Sequence, residues 1–329
     1  LSGVSGCEYE VRNYIKGKLS EMGCEFYVDK LGNIIAHNKG KKNKNIMISA
    51  HMDEVGLIVS NIDSDGFIKF KAVGGIDQRV LNSKVVLVGE NRIPGVIGSK
   101  AVHLMSDKER GSSIPIDKLY IDIGTSTKEE TEKLVSIGDY AAFKSNYVEF
   151  GDNMIKAKAL DNRAGCSILL ELLSQKLDAE FYGVFTVMEE VGLRGAETAA
   201  YQLEPDLGII LEGTVCADMP EVDEHERSTL IGKGVVLSLM DSTTIYEIDV
   251  VRSVAKIAEE HSITYQYKRS TSGGNDAGVI HKTKKGAKVV SISVPCRYIH
   301  SSISVASKND LNGVLRLTKQ VIIVNQKGE

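Results

Sequence analysis

Apolar and polar residues alternate along the chain in blocks that predict helices and buried strands in turn. Apolar residues at helical spacing predict helices within "CEYEVRNYIKGKLSEMG" and at about 162–175, 194–202, 245–261 and 308–325. Short apolar runs predict strands at 45–51, 55–62, 181–187, 207–212 and 286–295. Strands that alternate with helices predict an α/β fold whose parallel or mixed sheet is covered on both faces.

The stretch from about 64 to 150 has a different pattern. Short β-type runs such as "GFIKFKAVGG", "KVVLVGE" and "RIPGVIG" follow one another there, separated by Gly, Asp and Asn turns. This pattern predicts an inserted β-rich domain at 63–151. The α/β domain is therefore predicted to be discontinuous, made of residues 1–62 and 152–329.

Composition narrows the class of protein. The 329 residues are 42% hydrophobic and 26% charged, which is typical of a globular chain of one large or two smaller domains. A net charge of -4 offers no basic field, so nucleic acid is not an expected partner. We found neither a run of about 18 apolar residues nor a basic-then-apolar leader pattern, so we expect no membrane partner and a cytoplasmic location.

The cysteines give no sign of a disulfide framework or of a thiolate metal site. Their number is odd and no C-x-x-C pair occurs. We predict that they are small core residues: Cys7, Cys24, Cys166, Cys216 and Cys296.

Polar residues cluster at the ends of the predicted strands, where open α/β sheets bind their ligands. Asp161 differs in setting, because it precedes a helix in "ALDNRAGC", where the helix N-terminus favours its charge. The residues at strand ends are His51 and Asp53 after "NIMISA", Glu189 and Glu190 after "FYGVFTV", Glu212 at the end of "LGIIL", and His300 after "VVSISVP".

Two imidazoles and several carboxylates are the ligand types that zinc, cobalt and manganese accept. Without a cation, the carboxylates would repel one another in a poorly solvated crevice. Each short motif by itself also has a purely structural explanation. "AHMDE" could form a surface turn, "DNR" could cap a helix, "EE" could be a solvated strand end, and His300 could bond to a backbone carbonyl. Their shared topological position favours a metal site.

The ordered motifs "SAHMDEVGLIV", "KALDNRAGC", "VMEEVGLRGA", "LEGT" and "RYIHS" resemble the M42 family of metal-dependent aminopeptidases. "RIPGVIGSKAVHL" and "GGNDAG" are also similar to that family, so the resemblance covers nearly the whole chain. It implies a zinc-exopeptidase-like α/β fold, with a mixed sheet between helices and a small inserted β-barrel-like domain.

The resemblance also implies a role for each matched residue. Asp161 matches the ligand that bridges two divalent ions (zinc, cobalt or manganese), His51 and Glu212 match the terminal ligands of one ion, and Glu190 and His300 those of the other. Glu189 matches the general base, and Asp53 matches the carboxylate that orients His51.

The implied activity is removal of the N-terminal residue from peptides with a free amine, by a homo-oligomer that in this family is often a dodecamer. Two positions depart from the common pattern. Glu212 stands where many members have Asp, which lengthens the ligand arm, and Asn275 stands where Thr is frequent.

Three alternatives remain open from the sequence. A deacylase of N-acylated amino acids would share the metal chemistry and differ in its pocket. A β-glucanase would use paired carboxylates, but it needs no histidines and the chain lacks tryptophan for sugar stacking. A non-catalytic assembly shell would not need the matched catalytic positions to be filled.

Overall fold

The computed structural model describes residues 1–327, and only the backbone of residues 108 and 109. Its α-helices within that range are Tyr9–Glu21 (α1), Asp107–Arg110 (α2), Lys128–Glu132 (α3), Leu160–Ser174 (α4), Arg194–Leu203 (α5), Ile248–Glu260 (α6), Ala277–Ile280 (α7) and Lys308–Lys327 (α8). Two separate sheets hold the strands.

The larger sheet has the order β1-β2-β12-β3-β13-β16-β17-β11-β10, and β14 and β15 extend from β16. Its strands are Glu25–Val28 (β1), Ile34–Asn38 (β2), Ile46–His51 (β3), Val148–Phe150 (β10), Met154–Ala157 (β11), Phe181–Thr186 (β12), Leu207–Val215 (β13), Val235–Leu237 (β14), Tyr265–Tyr267 (β15), Lys288–Arg297 (β16) and Ser304–Ser307 (β17). At its centre β12, β3, β13 and β16 run parallel, and antiparallel strands flank them. The carboxyl ends of the four parallel strands therefore lie along one edge.

Helices cover both faces of this sheet. On β13, a Cβ at Gly208 would lie 2.9 Å from Ile280 Cγ2 of α7, and one at Gly213 would lie 2.9 Å from Asp161 Cα of α4. Side chains at even and odd positions of a strand point to opposite faces, so α7 and α4 lie on opposite sides. Helix α8 packs beside α4, and α5 packs beside α7. The sequence-based prediction of an α/β fold with a mixed sheet is confirmed.

The second sheet is a closed barrel in the order β4-β5-β8-β7-β6-β9. Its strands are Gly56–Ile62 (β4), Ile68–Val73 (β5), Val85–Val88 (β6), Ile93–Gly98 (β7), Tyr120–Asp122 (β8) and Tyr140–Phe143 (β9). Buried residues including Leu57, Ile68, Val86, Ile97 and Ile121 form a core separate from that of the large sheet.

We propose a division into two domains that follows this strand pairing. The apolar run 55–62 was assigned from the sequence to the α/β domain, but Gly56–Ile62 hydrogen-bonds within the barrel. At the other boundary, Val148–Phe150 pairs with β11 of the large sheet. Division by strand pairing therefore places the barrel at about 56–143, because an apolar run shows that a strand is buried and not which sheet buries it.

The cysteine prediction holds for three of the five residues. Cys166, Cys216 and Cys296 are buried, whereas Cys7 and Cys24 are half-buried. Among residues 1–327, the helices are too short or too polar for any to cross a bilayer.

Candidate metal centre

The polar residues expected at strand ends meet at the carboxyl edge of the large sheet. His51 is the last residue of β3, Glu212 lies on β13, and Glu190 follows β12. His300 follows β16, and Asp161 lies in the first turn of α4. Four of these residues come together because four parallel strands end at the same edge, and Asp161 joins them from the start of α4.

These residues form two groups that share Asp161. In one, His51 Nε2 lies 3.2 Å from Asp161 Oδ1 and 3.3 Å from Glu212 Oε1. In the other, His300 Nε2 lies 3.6 Å from Asp161 Oδ2 and 3.4 Å from Glu190 Oε2. The potential ligand atoms of each group lie within 4.8 Å of one another. Asp161 therefore offers one carboxylate oxygen to each group.

The local backbone brings Asp161 close to the sheet. Asp161 and Asn162 have non-helical backbone angles within the first turn of α4. The fully buried Asn162 donates from Nδ2 to the Leu211 carbonyl at 2.7 Å, and its Oδ1 accepts from Gly165 N at 3.0 Å. Gly213 makes the approach possible, since any side chain there would meet the Asp161 backbone at 2.9 Å.

Asp53 links the histidine of the first group to the two adjacent glutamates. It is fully buried, and its Oδ1 lies 3.4 Å from His51 Nδ1. Oδ1 also accepts from Glu189 N at 3.0 Å, and Oδ2 accepts from Glu190 N at 3.1 Å and from Ser5 Oγ at 2.6 Å. Asp53 thus contacts His51 and accepts hydrogen bonds from the backbone of both glutamates.

Glu189 stands apart from the two groups of potential ligands. Its Oε2 lies 3.9 Å from His51 Nε2, and its side chain is 10% exposed at the cavity. Neighbouring residues of an extended strand would direct the Glu189 and Glu190 side chains to opposite faces of the sheet. The structure differs, because β12 ends at Thr186 and the glutamates lie in a turn that begins after Met188, whose φ is 54°.

Burial makes the charged carboxylates of this site costly. It raises the pKa of Glu190 to about 7, and the nearby Asp161 carboxylate adds to that rise. Burial also raises the pKa of Glu189 and of Glu212 well above the usual value for a glutamate. Uncompensated negative charge is therefore strongly disfavoured in this poorly solvated space.

The pKa values of the two histidines and of the shared aspartate shift in the directions that favour their charged forms. Contact with Asp161 raises the pKa of His300 to about 9. Burial alone would lower the pKa of His51, but the Glu212 and Glu189 carboxylates outweigh it and hold that pKa well above its usual value. Burial would likewise raise the pKa of Asp161, but the two histidines lower it. Positive charge is therefore strongly favoured at the centre of this cluster.

A cavity of about 540 Å³ opens over the cluster. It is lined by both glutamates of the turn and by polar residues of the loops after β14 and β15. Asn275, one of the two departures from the family pattern, lies at this cavity and is held by bonds to the Tyr246 hydroxyl and to Ala277 N. The cavity is large enough for an amino-acid side chain together with the adjoining backbone.

Sequence reasoning missed four residues near the site: Ser5, Glu8, Asn33 and Lys268. Ser5, Glu8 and Asn33 contact the site through hydrogen bonds to Asp53 or to the turn that carries the glutamates. Glu8 and Asn33 bond to residues 180 and 154 positions away, so no local pattern could indicate them. Lys268 lies in a loop after β15, and only the fold shows that this loop borders the cavity.

Comparison with known proteins gives consistent results. A family model described as M42 glutamyl aminopeptidase matches residues 32–317. A protein of Acetivibrio thermocellus provisionally named an aminopeptidase is 41% identical over 327 residues, which cover 98% of this chain and 95% of that protein.

Solved structures extend the similarity to the whole fold. The TET aminopeptidase of Thaumarchaeota archaeon SCGC AB-539-E09 superposes with a TM-score of 0.95 at 33% identity, over 100% of this chain and 95% of that one. The TET1 peptidase of Pyrococcus horikoshii, described as assembling into a tetrahedron or a large octahedral shell, gives a TM-score of 0.87 at 33% identity, over 98% and 96% of the two chains.

Proposed function

The chain belongs to the M42 glutamyl aminopeptidase family and is an aminopeptidase, and we propose that it uses two divalent ions and Glu189 as the general base. Family membership implies divalent metal ions. The number of ions, their identity and the role of each residue belong to the proposal. The observation that carries it is the position of Asp161, whose two oxygens face different histidines at 3.2 and 3.6 Å.

The residues present fit a pair of cations. Each group supplies one imidazole and two carboxylates, the donors that zinc, cobalt and manganese accept, counting Asp161 in both. Glu212 Oε2 is buried without a hydrogen-bond partner, as a carboxylate oxygen reserved for a cation would be. The upward pKa shifts of Glu190 and Glu212 show how strongly the site disfavours uncompensated negative charge.

The chain's own residues then provide positioning and proton transfer. Ions bound here would lower the pKa of a water molecule and polarise the scissile carbonyl. Glu189 lies beside the ligand groups without belonging to either, so its carboxylate is free to take a proton from the attacking water. Burial raises the proton affinity of Glu189, which suits a group that holds the proton and then delivers it to the departing amine.

The same environment favours substrates with a free amino terminus. The α-ammonium group of a peptide is attracted to the Glu189 carboxylate, which lines the cavity and is not among the proposed ligands. An N-acylated amino acid carries no such charge. We therefore favour removal of N-terminal residues from peptides over deacylation. We also disfavour a glucanase, because the two histidines at the site have no role in a two-carboxylate mechanism.

We also propose that the chain self-associates into a homo-oligomer such as the dodecamer that the sequence resemblance implies. The described assembly of the Pyrococcus horikoshii relative supports this. Apolar side chains exposed on the barrel, Val102, Leu104 and Ile137, each more than 60% exposed, offer surfaces for such contacts.

Metal dependence and substrate choice test the proposed function together. Protein stripped with EDTA should lose hydrolysis of amino-acid p-nitroanilides and regain it with zinc, cobalt or manganese added separately. N-acylated amino acids should remain intact under every ion. Preferential hydrolysis of the acylated compounds would instead indicate a deacylase, and β-glucan hydrolysis that survives EDTA would indicate a glucanase.

Lys268 is expected to set the preference for the first side chain of the substrate. Among the described residues lining the cavity it is the only lysine or arginine, and its Nζ donates to the Ser272 carbonyl at 2.8 Å. A positive charge at the cavity favours an acidic side chain. We predict that Lys268→Glu lowers kcat/KM for the glutamyl p-nitroanilide by about tenfold to a hundredfold.

The matched control is Lys288→Glu, which reverses a charge at the first residue of β16, at the opposite edge of the sheet. This variant should leave kcat/KM for acidic and basic substrates unchanged. Equal losses on glutamyl, leucyl and lysyl substrates in Lys268→Glu would contradict a role in specificity.

A further inference from the structure

The turn that carries the two glutamates is anchored by side chains from the first part of the chain. We name residues 187–195 the glutamate turn. Four successive backbone N–H groups in it donate to buried side-chain oxygens. These bonds are Val187 N to Asn33 Oδ1 at 3.0 Å, Met188 N to Glu8 Oε1 at 3.2 Å, Glu189 N to Asp53 Oδ1 at 3.0 Å and Glu190 N to Asp53 Oδ2 at 3.1 Å.

Regular secondary structure does not hold this segment in place. Strand β12 ends at Thr186, and Met188 adopts a left-handed backbone conformation with φ 54°, which is unfavourable for a residue with a side chain. Within the turn, the Glu189 carbonyl accepts from Gly192 N and Leu193 N. Such a conformation persists only where its surroundings fix it, and the anchoring side chains supply that constraint.

Asn33 ties the two ends of the glutamate turn together. It is fully buried, and while Oδ1 accepts from Val187 N, its Nδ2 donates to the Gly195 carbonyl at 2.9 Å. A Cβ at Gly195 would lie only 2.3 Å from Asn33 Oδ1, so this close contact requires glycine. Asn33, together with the backbone bond from Gly195 N to the Val187 carbonyl at 2.9 Å, therefore fixes the separation of the residues that enter and leave the turn.

Glu8 holds the residue directly before the glutamate pair. It is 4% exposed, and its Oε1 accepts from Gly6 N at 2.8 Å and from Met188 N at 3.2 Å. The bond to Met188 N lies at the strained position of the turn. Loss of this acceptor would leave a half-buried N–H group without its protein partner at the residue directly before Glu189.

We propose that Asn33 and Glu8 are positioning residues. They orient the Glu189 and Glu190 side chains by fixing the backbone of the glutamate turn. This inference rests on the proposed roles of those two glutamates. Neither Asn33 nor Glu8 lines the cavity, so both act through the turn. A general base must lie within hydrogen-bond reach of the proton that it removes, so a small shift of the turn weakens catalysis without removing any reacting group.

Asn38 offers a matched control for Asn33. It is the last residue of β2, is 7% exposed, and donates to the Leu177 and Ala179 carbonyls at 2.8 and 2.7 Å, before the start of β12. Both asparagines thus bond to backbone beside the same strand, Asn33 at the end near the site and Asn38 at the far end. Alanine at Asn38 removes two side-chain hydrogen bonds, whereas alanine at Asn33 removes those to Val187 and Gly195 and also those to Asp29 and Thr198.

The experiment compares Asn33→Ala with Asn38→Ala at saturating cobalt. We expect Asn33→Ala to lower kcat by about tenfold to a hundredfold with little change in KM. It should also weaken cobalt binding, measured by titration of the metal-free protein, by about tenfold because Glu190 moves with the turn. Asn38→Ala should show the parent kcat and cobalt affinity, although both variants melt at lower temperature.

Glu8 provides a second pair of variants in case Asn33→Ala does not fold. Glu8→Gln keeps a carbonyl oxygen that can accept from Met188 N and should retain most of kcat, whereas Glu8→Ala should lose about tenfold or more. An unchanged kcat in Asn33→Ala and Glu8→Ala would overturn the inference, and so would equal losses in Asn33→Ala and Asn38→Ala. Glu189→Gln, measured in parallel, distinguishes failure of this inference from failure of the proposed function. If that variant stays active, the assignment of Glu189 as the general base is wrong.

Discussion

Glu189→Gln should lower kcat for peptide hydrolysis by about 10²- to 10⁴-fold, the range that general acid–base catalysis contributes. Glutamine keeps the shape of the side chain, and its backbone N–H still donates to Asp53, so the turn keeps its structure. The amide cannot accept a proton from water. Because Glu189 belongs to neither group of potential ligands, the metal content of the variant should equal that of the parent protein.

The measurements are kcat on an amino-acid p-nitroanilide and metal content after dialysis. Glu197→Gln is the matched control, since it makes the same substitution at an exposed position in the next helix, α5, and should leave both values unchanged. Turnover at the parent level in Glu189→Gln would exclude Glu189 as the general base. A loss of metal together with activity would instead make Glu189 a ligand.

Asp161→Asn should remove both metal sites at once. Asp161 is the one residue shared by the two groups, and its oxygens lie 3.2 Å from His51 Nε2 and 3.6 Å from His300 Nε2. An amide offers one weak oxygen ligand in place of two charged ones. Because metal assistance supplies several kcal/mol of transition-state stabilisation, we expect activity to fall by more than about a thousandfold.

Metal analysis distinguishes this variant from those of the terminal residues. His300→Ala should lose one ion per subunit, whereas Asp161→Asn should lose both. Asp310→Asn is the control for substitution of a buried aspartate, because the two Asp310 carboxylate oxygens accept from Gly232 N and Gly234 N. Two ions retained by Asp161→Asn would refute the bridging arrangement.

Several helices and strands were predictable because the burial of each one is reflected in its own pattern of apolar residues. The runs "NIMISA" and "FYGVFTV" are mostly apolar, and β3 and β12 are buried along almost their whole length because the sheet is covered on both faces. The predicted strand 207–212 lies within Leu207–Val215, and the predicted helix 308–325 within Lys308–Lys327. The convergence of His51, Glu212 and His300 was also predictable, because parallel strands end at a common edge.

The boundary of the barrel was not predictable in the same way. Gly56–Ile62 follows β3 after four residues and is equally apolar, yet it pairs with β5 and β9 instead of with β3. Which strand it pairs with depends on contacts with residues distant in sequence. These contacts do not change the apolar pattern of the strand itself. The same reason kept Asn33 and Glu8 out of the predicted site.

The sequence by itself determined the α/β class, the barrel-like insertion and the order of motifs that relates this chain to its family. Only the tertiary structure decided where the carboxylates face. Glu189 and Glu190 are adjacent in sequence, but their directions are set by a strained turn whose N–H groups bond to residues more than 130 positions earlier. A local pattern of apolar residues indicates which positions are buried. The direction of a catalytic side chain depends instead on hydrogen bonds that only the folded chain can form.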